Sequence, residues 1–411
     1  MLTFGGARDA RLLLLTRSMR GFGAGALSIV LALDLAVVGY SDLVIGVLLG
    51  LVLAAASAWS LAVPSLERRW GRRAVFLAGA TAFSAGGALL WADLGNPWAV
   101  LLAVALGGLV AGASDVGPLG ALEQAVLADA APEARRTEWF AVYNLLGYVG
   151  GALGALAAGP LSAAPGGLPG LPGGPHDVPA LLYALLGLGL VPAYVGLSRP
   201  SAVAPTGAAT ARLDPGVRQR IYALASLFAV DAFGGGLIVN SLVVYYFAVR
   251  FSPGIDALGA VFFVANLAAG LSFLLAVPLA RRFGLLRTMV FTHIPSNLLL
   301  ICVAFGPSFV VASGLWIARA CLSQMDVPTR QSYTQAIVPR AARPAAAGYT
   351  TAARSAQALG GPVTGAFLAA GGPWLTAPFL FAGSVKIAYD LAVYRRFREI
   401  RPPEEDRGAP T

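Results

Sequence analysis

"LAVPSLERRWG" runs from Leu61 to Gly71, and "LAVPLARRFG" runs from Leu275 to Gly284. Each closes an apolar run with a proline, paired arginines, an aromatic ring and a glycine. A 411-residue chain that writes one phrase twice, a little over half its length apart, reads as two copies of one unit. Three more echoes keep the same order. "RGFGAGAL" from Arg20 lines up with "DAFGGGLI" from Asp231, and "SDVGP" from Ser114 with "MDVP" from Met325. "EQAVLADAAPEARR" from Glu123 lines up with "RQSYTQAIVPRAAR" from Arg330, setting Gln124 against Gln331 and Pro132 against Pro339.

The units are membrane units. The chain is 57% hydrophobic and 12% charged, with mean hydropathy +0.73. Soluble domains carry roughly 25% charge. The net charge of +9 does not point to nucleic acid, because the arginines cluster in short groups between apolar runs. Cys302 and Cys321 form no CxxC pair, His176 and His293 are isolated, and no nucleophile elbow, zincin or phosphate-loop motif occurs. The expectation is therefore no enzyme, no cofactor and no metal site. No signal peptide is read at the start of the chain.

A bilayer core takes roughly 20 apolar residues in a helix. Twelve runs qualify, near 12–38, 42–63, 73–93, 97–120, 137–160, 179–198, 219–249, 255–280, 286–304, 308–328, 345–371 and 374–394. The expected fold class is an all-α membrane protein of twelve transmembrane helices in two pseudo-symmetric six-helix bundles. Residues 1–198 form the first bundle, 199–218 a cytoplasmic linker, 219–394 the second bundle and 395–411 a cytoplasmic tail. With both ends cytoplasmic, twenty-two basic residues fall on the inner side and only Arg250 on the outer. That asymmetry sets the orientation by the positive-inside rule. Parallel repeats of this kind occur in transporters, with the binding site at the midplane.

At this point the chain resembles the major facilitator superfamily, and the resemblance covers nearly all of it. That family's loop between helices 2 and 3 reads roughly G-x-x-x-D-R-x-G-R-R. Here "PSLERRWGRR" supplies Arg69, Gly71, Arg72 and Arg73, with Pro64 at the first glycine, Arg68 at the aspartate and Glu67 one place early. The second copy supplies Arg282 and Gly284, with Arg281 at the aspartate position. The resemblance implies that these loops latch one conformational state. The family's arginine in helix 4 has no counterpart there, but helix 10 carries Arg319. A glycine-rich antiporter motif is partly matched by "GYVGGALGALAAGP" in helix 5, with Gly150 and Gly154. "GGPVTG" in helix 11 brings Gly361 and Gly365. These glycines are read as packing positions, and the motif leans the reading to efflux.

Ionisable residues inside a span need a reason. At 1.5 Å per residue, Asp231 lies roughly 16 Å past Arg220 and Arg20 roughly 14 Å past Arg11. Arg319 is similarly central. On the family fold, helices 1, 7 and 10 line the cavity. Asp231 is expected to pair with Arg20 or Arg319, either as a proton-coupled switch or as a permanent staple between the halves. Asp115 and Asp326 are read as substrate contacts or gates near the cytoplasmic side. Asn144 and Asn240 are candidate cavity hydrogen-bonders, with Asn266, Asn297 and Gln357 behind them. Asp326 with Arg330, and Lys386 with Asp390, have i,i+4 spacing and are expected to pair. Arg17 and Arg354 are expected to snorkel to the interface.

The expectation is a secondary active transporter in the cytoplasmic membrane, multi-pass, with both termini cytoplasmic, working as a monomer by alternating access. Its partners are a small-molecule substrate, protons and the lipid bilayer, with no nucleic acid. The competing readings are a proton-coupled uptake symporter for a sugar or organic anion and, further off, a non-transporting membrane receptor.

Overall fold

The computed structural model describes residues 7–106, 109, 117–130, 136–163, 177–197, 214–339 and 342–400. Asp115, most of the 199–218 linker and the tail beyond Ile400 lie outside them. The first six segments are α1 (Ala7–Val37), α2 (Asp42–Trp70), α3 (Arg72–Ala92), α4 (Pro97–Ala105) with α5 (Pro118–Ala130), α6 (Arg136–Ala163) and α7 (Asp177–Val195). The last six are α8 (Pro215–Gly236) with α9 (Asn240–Phe251), α10 (Ile255–Phe283), α11 (Leu285–Val303), α12 (Phe309–Ser323) with α13 (Asp326–Ala336), α14 (Arg343–Ala353) with α15 (Gly360–Ala370), and α16 (Ala377–Phe397). A 3-10 stretch, Arg354–Leu359, joins α14 to α15.

Among the described residues, eight segments are long and apolar enough to cross a membrane, including Arg8–Val37, Asp42–Trp70 and Ile255–Phe283. Two of the segments that fall short hold breaks or charges. The α12–α13 segment is interrupted at Gln324–Met325 and carries Arg319, Asp326 and Arg330. The α16 helix carries Lys386 and Asp390 in its middle. Outward faces show the reverse pattern. Leu153, Leu156, Leu185, Leu188, Leu271, Leu274 and Phe291 are exposed, while Arg17, Arg20, Glu123, Asp231, Lys386 and Asp390 are buried. Apolar outside and charged inside is the pattern of a chain solvated by lipid.

The repeated phrase resolves into one backbone device used twice. The arginine pairs are helical, and α2 and α10 run through them to Trp70 and Phe283. Each helix is stopped by the glycine that follows, Gly71 at φ 80, ψ 154 and Gly284 at φ 87, ψ 160. The same glycines begin α3 and α11. This region of backbone space is essentially closed to residues with a Cβ. The repetition in the sequence is therefore a repetition of shape, a one-residue joint between antiparallel helices.

Helix ends differ from the expected spans where it matters most. The fourth segment continues to Ala130 and the tenth to Ala336. Glu123 and Arg330, which the apolar runs leave just outside, thus sit inside helices. The runs undershoot because both ends turn polar in sequence, although Glu123, Leu127, Arg330, Tyr333 and Thr334 are buried.

Between the halves, α2 packs on α15 with backbones nearly touching. A Cβ on Gly361 would lie 2.5 Å from the Gly46 carbonyl oxygen, and one on Gly365 would lie 2.8 Å from that of Asp42. Gly361→Leu is accordingly expected to cost about 1–3 kcal/mol through overpacking, read as a fall in Tm. A variant with the parent Tm would show that this seam is not a tight contact. Gly150 and Gly154 play a comparable part within the first half, lying against the α1 backbone at Ser18 and Phe22.

Candidate functional site

Two buried ionic clusters occupy the two halves. In the second half the hub is Asp231, on α8. Its Oδ2 accepts a hydrogen bond from Arg330 (2.8 Å, α13) and its Oδ1 one from Lys386 (2.6 Å, α16). Arg330 also pairs with Asp326 at 3.2 Å. Beside them His293 of α11 sets Nδ1 at 2.9 Å from Asp390 Oδ1, and its Nε2 lies 4.0 Å from Asp231 Oδ1. Asn297 donates to Asp390 at 3.2 Å. Four segments thus contribute to one network that is almost wholly removed from solvent.

In the first half the hub is Glu123, on α5 and 0% exposed. Its Oε2 accepts from Arg20 (2.6 Å) and Tyr143 (2.5 Å), and its Oε1 from Thr16 (2.6 Å) and Tyr194 (2.6 Å). A carboxylate with four donors is as well satisfied as the group allows. Arg17 is buried as well, with its guanidinium 5.2 Å from the Tyr143 ring centroid. It does not snorkel.

These clusters correct the expected pairing. Arg20 does not reach Asp231; it pairs with Glu123, and Asp231 pairs with Arg330 and Lys386. Each charge finds its partner within its own half, since a counter-ion there stays close whichever way the halves tilt. The repeat had aligned Arg20 with Asp231 and Glu123 with Arg330. The structure joins these as Arg20–Glu123 and Asp231–Arg330, one pair in each copy with the signs exchanged. The Lys386–Asp390 expectation also fails. The two residues share a face of α16, but Lys386 binds Asp231 and Asp390 binds His293. Both side chains point into the bundle, where neighbouring helices offer closer partners than a solvated i,i+4 pair.

Arg319 stands apart. It is half-buried on α12, 4.7 Å from the centroid of the Trp316 ring, and it forms no ion pair with a described residue. Its Nε is shielded from solvent and has no hydrogen-bond partner. Arg354 opens the 3-10 stretch, half-buried and likewise without an ion pair. Asn144 and Asn240 are half-buried and make no side-chain hydrogen bond with described residues. In the repeated loops, Glu67 and Arg72 pair at 2.5 Å, while Arg69, Arg73 and Arg282 are exposed. The sequence reading missed Glu123 and His293. Glu123 had a signal, its place opposite Arg330 in the repeat; His293 had none beyond being a lone histidine in an apolar run.

On the side of the molecule where α2 begins, Tyr245 of α9 donates to Asp42 across the halves at 2.6 Å. Near the middle, Tyr148 of α6 meets Phe273 of α10 edge to face at 5.4 Å. Two helical halves joined at such a seam, each with a buried ionic hub, define a multi-pass membrane protein of transporter architecture. Residues 13–323 match the Major Facilitator Superfamily profile, and the chain belongs to that superfamily. An uncharacterized membrane protein of Saccharomyces cerevisiae is 26% identical, the match covering 94% of this chain and 93% of the yeast protein. Among solved structures, the nucleoside transporter NupG superposes with a TM-score of 0.73 at 13% identity, covering 95% of this chain and all of that one. A D-xylose–proton symporter superposes with a TM-score of 0.67 at 17% identity, covering 96% and 98%. At these identities the structural likeness speaks for the fold.

Proposed function

We propose that this protein is a secondary transporter that carries a small solute between its two halves by alternating access, exporting it in exchange for protons. The observation behind the coupling is that Lys386 and His293 address the same oxygen, Oδ1 of Asp231. Asp390, as an ionised acceptor, holds the hydrogen on Nδ1 of His293, which leaves Nε2 open; the tautomer is inferred from this network. When the imidazole is protonated, Nε2 takes the proton. The imidazolium then competes with Lys386 for Asp231 and loosens the hold of α16 on α8. Asp390 and Lys386 from α16, Asp231 from α8 and Asp326 from α13 all act on that proton, the carboxylates attracting it and the lysine repelling it. Asp231 is the hub of the switch and His293 its proton acceptor.

Positive-inside orientation puts the termini in the cytoplasm, so the Tyr245–Asp42 and Gly46–Gly361 contacts close the outer side. Export rests on the glycine-rich run of α6.

The test needs no substrate. Spin labels at exposed Ala92 and Pro307, with Cys302 and Cys321 replaced by serine, report the distance between the halves. Lowering the pH from about 8 to about 6 is expected to shift that distance, and His293→Gln is expected to abolish the shift. An unchanged pH response in His293→Gln removes His293 from the coupling, and no response in the parent protein removes the coupling itself.

A further inference from the structure

The ionic network of the second half does not balance. Among the described residues, Arg319, Arg330, Arg354 and Lys386 face Asp231, Asp326 and Asp390 in the middle of its segments. Arg330 and Lys386 take up Asp231 and Asp326, and Asp390 is held by His293 and Asn297. Arg319 and Arg354 remain with no carboxylate of a described residue in ion-pair range. Arg354 lies eleven residues beyond Arg343, roughly 16 Å into its segment, too deep for the snorkelling that its position near a helix start had suggested.

Arg354 belongs to the seam between the halves, and Arg319 shares its electrostatic neighbours. The 3-10 stretch that begins at Arg354 packs against α2 of the first half as well as α8. Arg319 and Arg354 both lie within electrostatic reach of Tyr148, on α6 of the first half, and of Asp231 and Asp326. The neighbouring Ser355 hydroxyl is also buried without a partner. A cation kept inside a membrane protein without a counter-ion is costly. An arginine in particular offers a planar fork that matches carboxylate and phosphate oxygens two at a time. The Arg319 guanidinium lies over the Trp316 ring, 4.7 Å from its centroid, a contact that does not use its N–H donors.

We propose that Arg319 and Arg354 form the substrate site, and that the substrate is a small organic anion bearing a carboxylate or phosphate. This rests on the transporter reading and names its substrate class. Binding the anion completes the charge balance of the second half, placing a negative group near Asp231 and making it easier for His293 to hold a proton. Substrate and proton would thereby communicate through Asp231.

The experiment is thermal unfolding of the purified full chain at fixed ionic strength with citrate, succinate, inorganic phosphate, glucose and tetraphenylphosphonium. At a hundred times the dissociation constant, a bound anion is expected to raise Tm by roughly 3–5 °C. Arg319→Met and Arg354→Met are each expected to abolish that rise while leaving the ligand-free Tm equal to or above the parent's, because they remove a charge with no ion-pair partner among the described residues. Arg287→Gln, on an exposed position, should keep the rise. A fall in ligand-free Tm in both Met variants would make these arginines structural and overturn the proposal. So would an anion effect that survives in both, or no shift with any anion. Stabilisation by glucose or tetraphenylphosphonium alone would overturn the anion site and leave the transporter standing. Loss of the pH response of the spin labels, with the anion effect intact, would sink the coupling and leave the site.

Discussion

Replacing Glu123 with alanine will remove about 3–5 kcal/mol of stability, a fall in Tm on the order of 10 °C, or stop the protein accumulating. Four donors converge on this carboxylate, and one of them is the Arg20 guanidinium, 2% exposed. Truncation deletes the counter-charge that Arg20 faces and the acceptor of the Thr16, Tyr143 and Tyr194 hydroxyls at one stroke. Buried polar groups stranded in this way impose their full desolvation penalty. The double variant Glu123→Leu, Arg20→Met removes both charges and should recover much of the loss, since a buried ion pair is often replaceable by apolar groups of similar volume. A Glu123→Ala protein with the parent Tm would mean that the carboxylate is not the hub of the first half.

Asp231→Asn is the second large effect, and it separates a staple from a switch. The substitution keeps the shape but, among the described residues, leaves Lys386 without an ion-pair partner and Arg330 with Asp326. A loss of about 3–5 kcal/mol is expected, again read as Tm. Adding Lys386→Met removes the stranded ammonium and should restore most of it. The restored double variant then becomes the informative protein. If Asp231 is the hub through which His293 acts, its spin-label distance no longer responds to pH although the fold is intact. A restored double variant that still responds fully would reduce Asp231 to a staple. A single variant that is neither destabilised nor unresponsive would refute both roles.

The two halves show how much of this site could be read without coordinates. The repeat put Arg20 opposite Asp231 and Glu123 opposite Arg330, so the four residues of the central ion pairs were already aligned two by two. The alignment joins equivalent positions, and equivalence was taken for contact. The tertiary structure pairs each residue with a neighbour in its own half. Lys386 and Asp390 carry a similar lesson. Their spacing on α16 is correct for a pair, but spacing sets only which face they share, not which helix lies closest to that face.

The sequence alone determined the membrane class, the two-fold repetition and the superfamily, because these follow from local properties: run length, hydropathy, and a glycine that must follow each arginine pair at positive φ. It also marked Asp231, Arg20 and Arg319 as residues that need an explanation, because a charge in an apolar run is costly whatever surrounds it. Only the tertiary structure decided the partners. An ion pair depends on distances of a few ångströms between helices that are separated by dozens or hundreds of residues, and nothing local records them. It also decided where the fourth and tenth segments end, because Glu123 and Arg330 are polar in sequence and buried only by neighbouring helices. That one shift brought Glu123 and Arg330 into the interior, while Arg319 and Arg354 meet no carboxylate among the described residues.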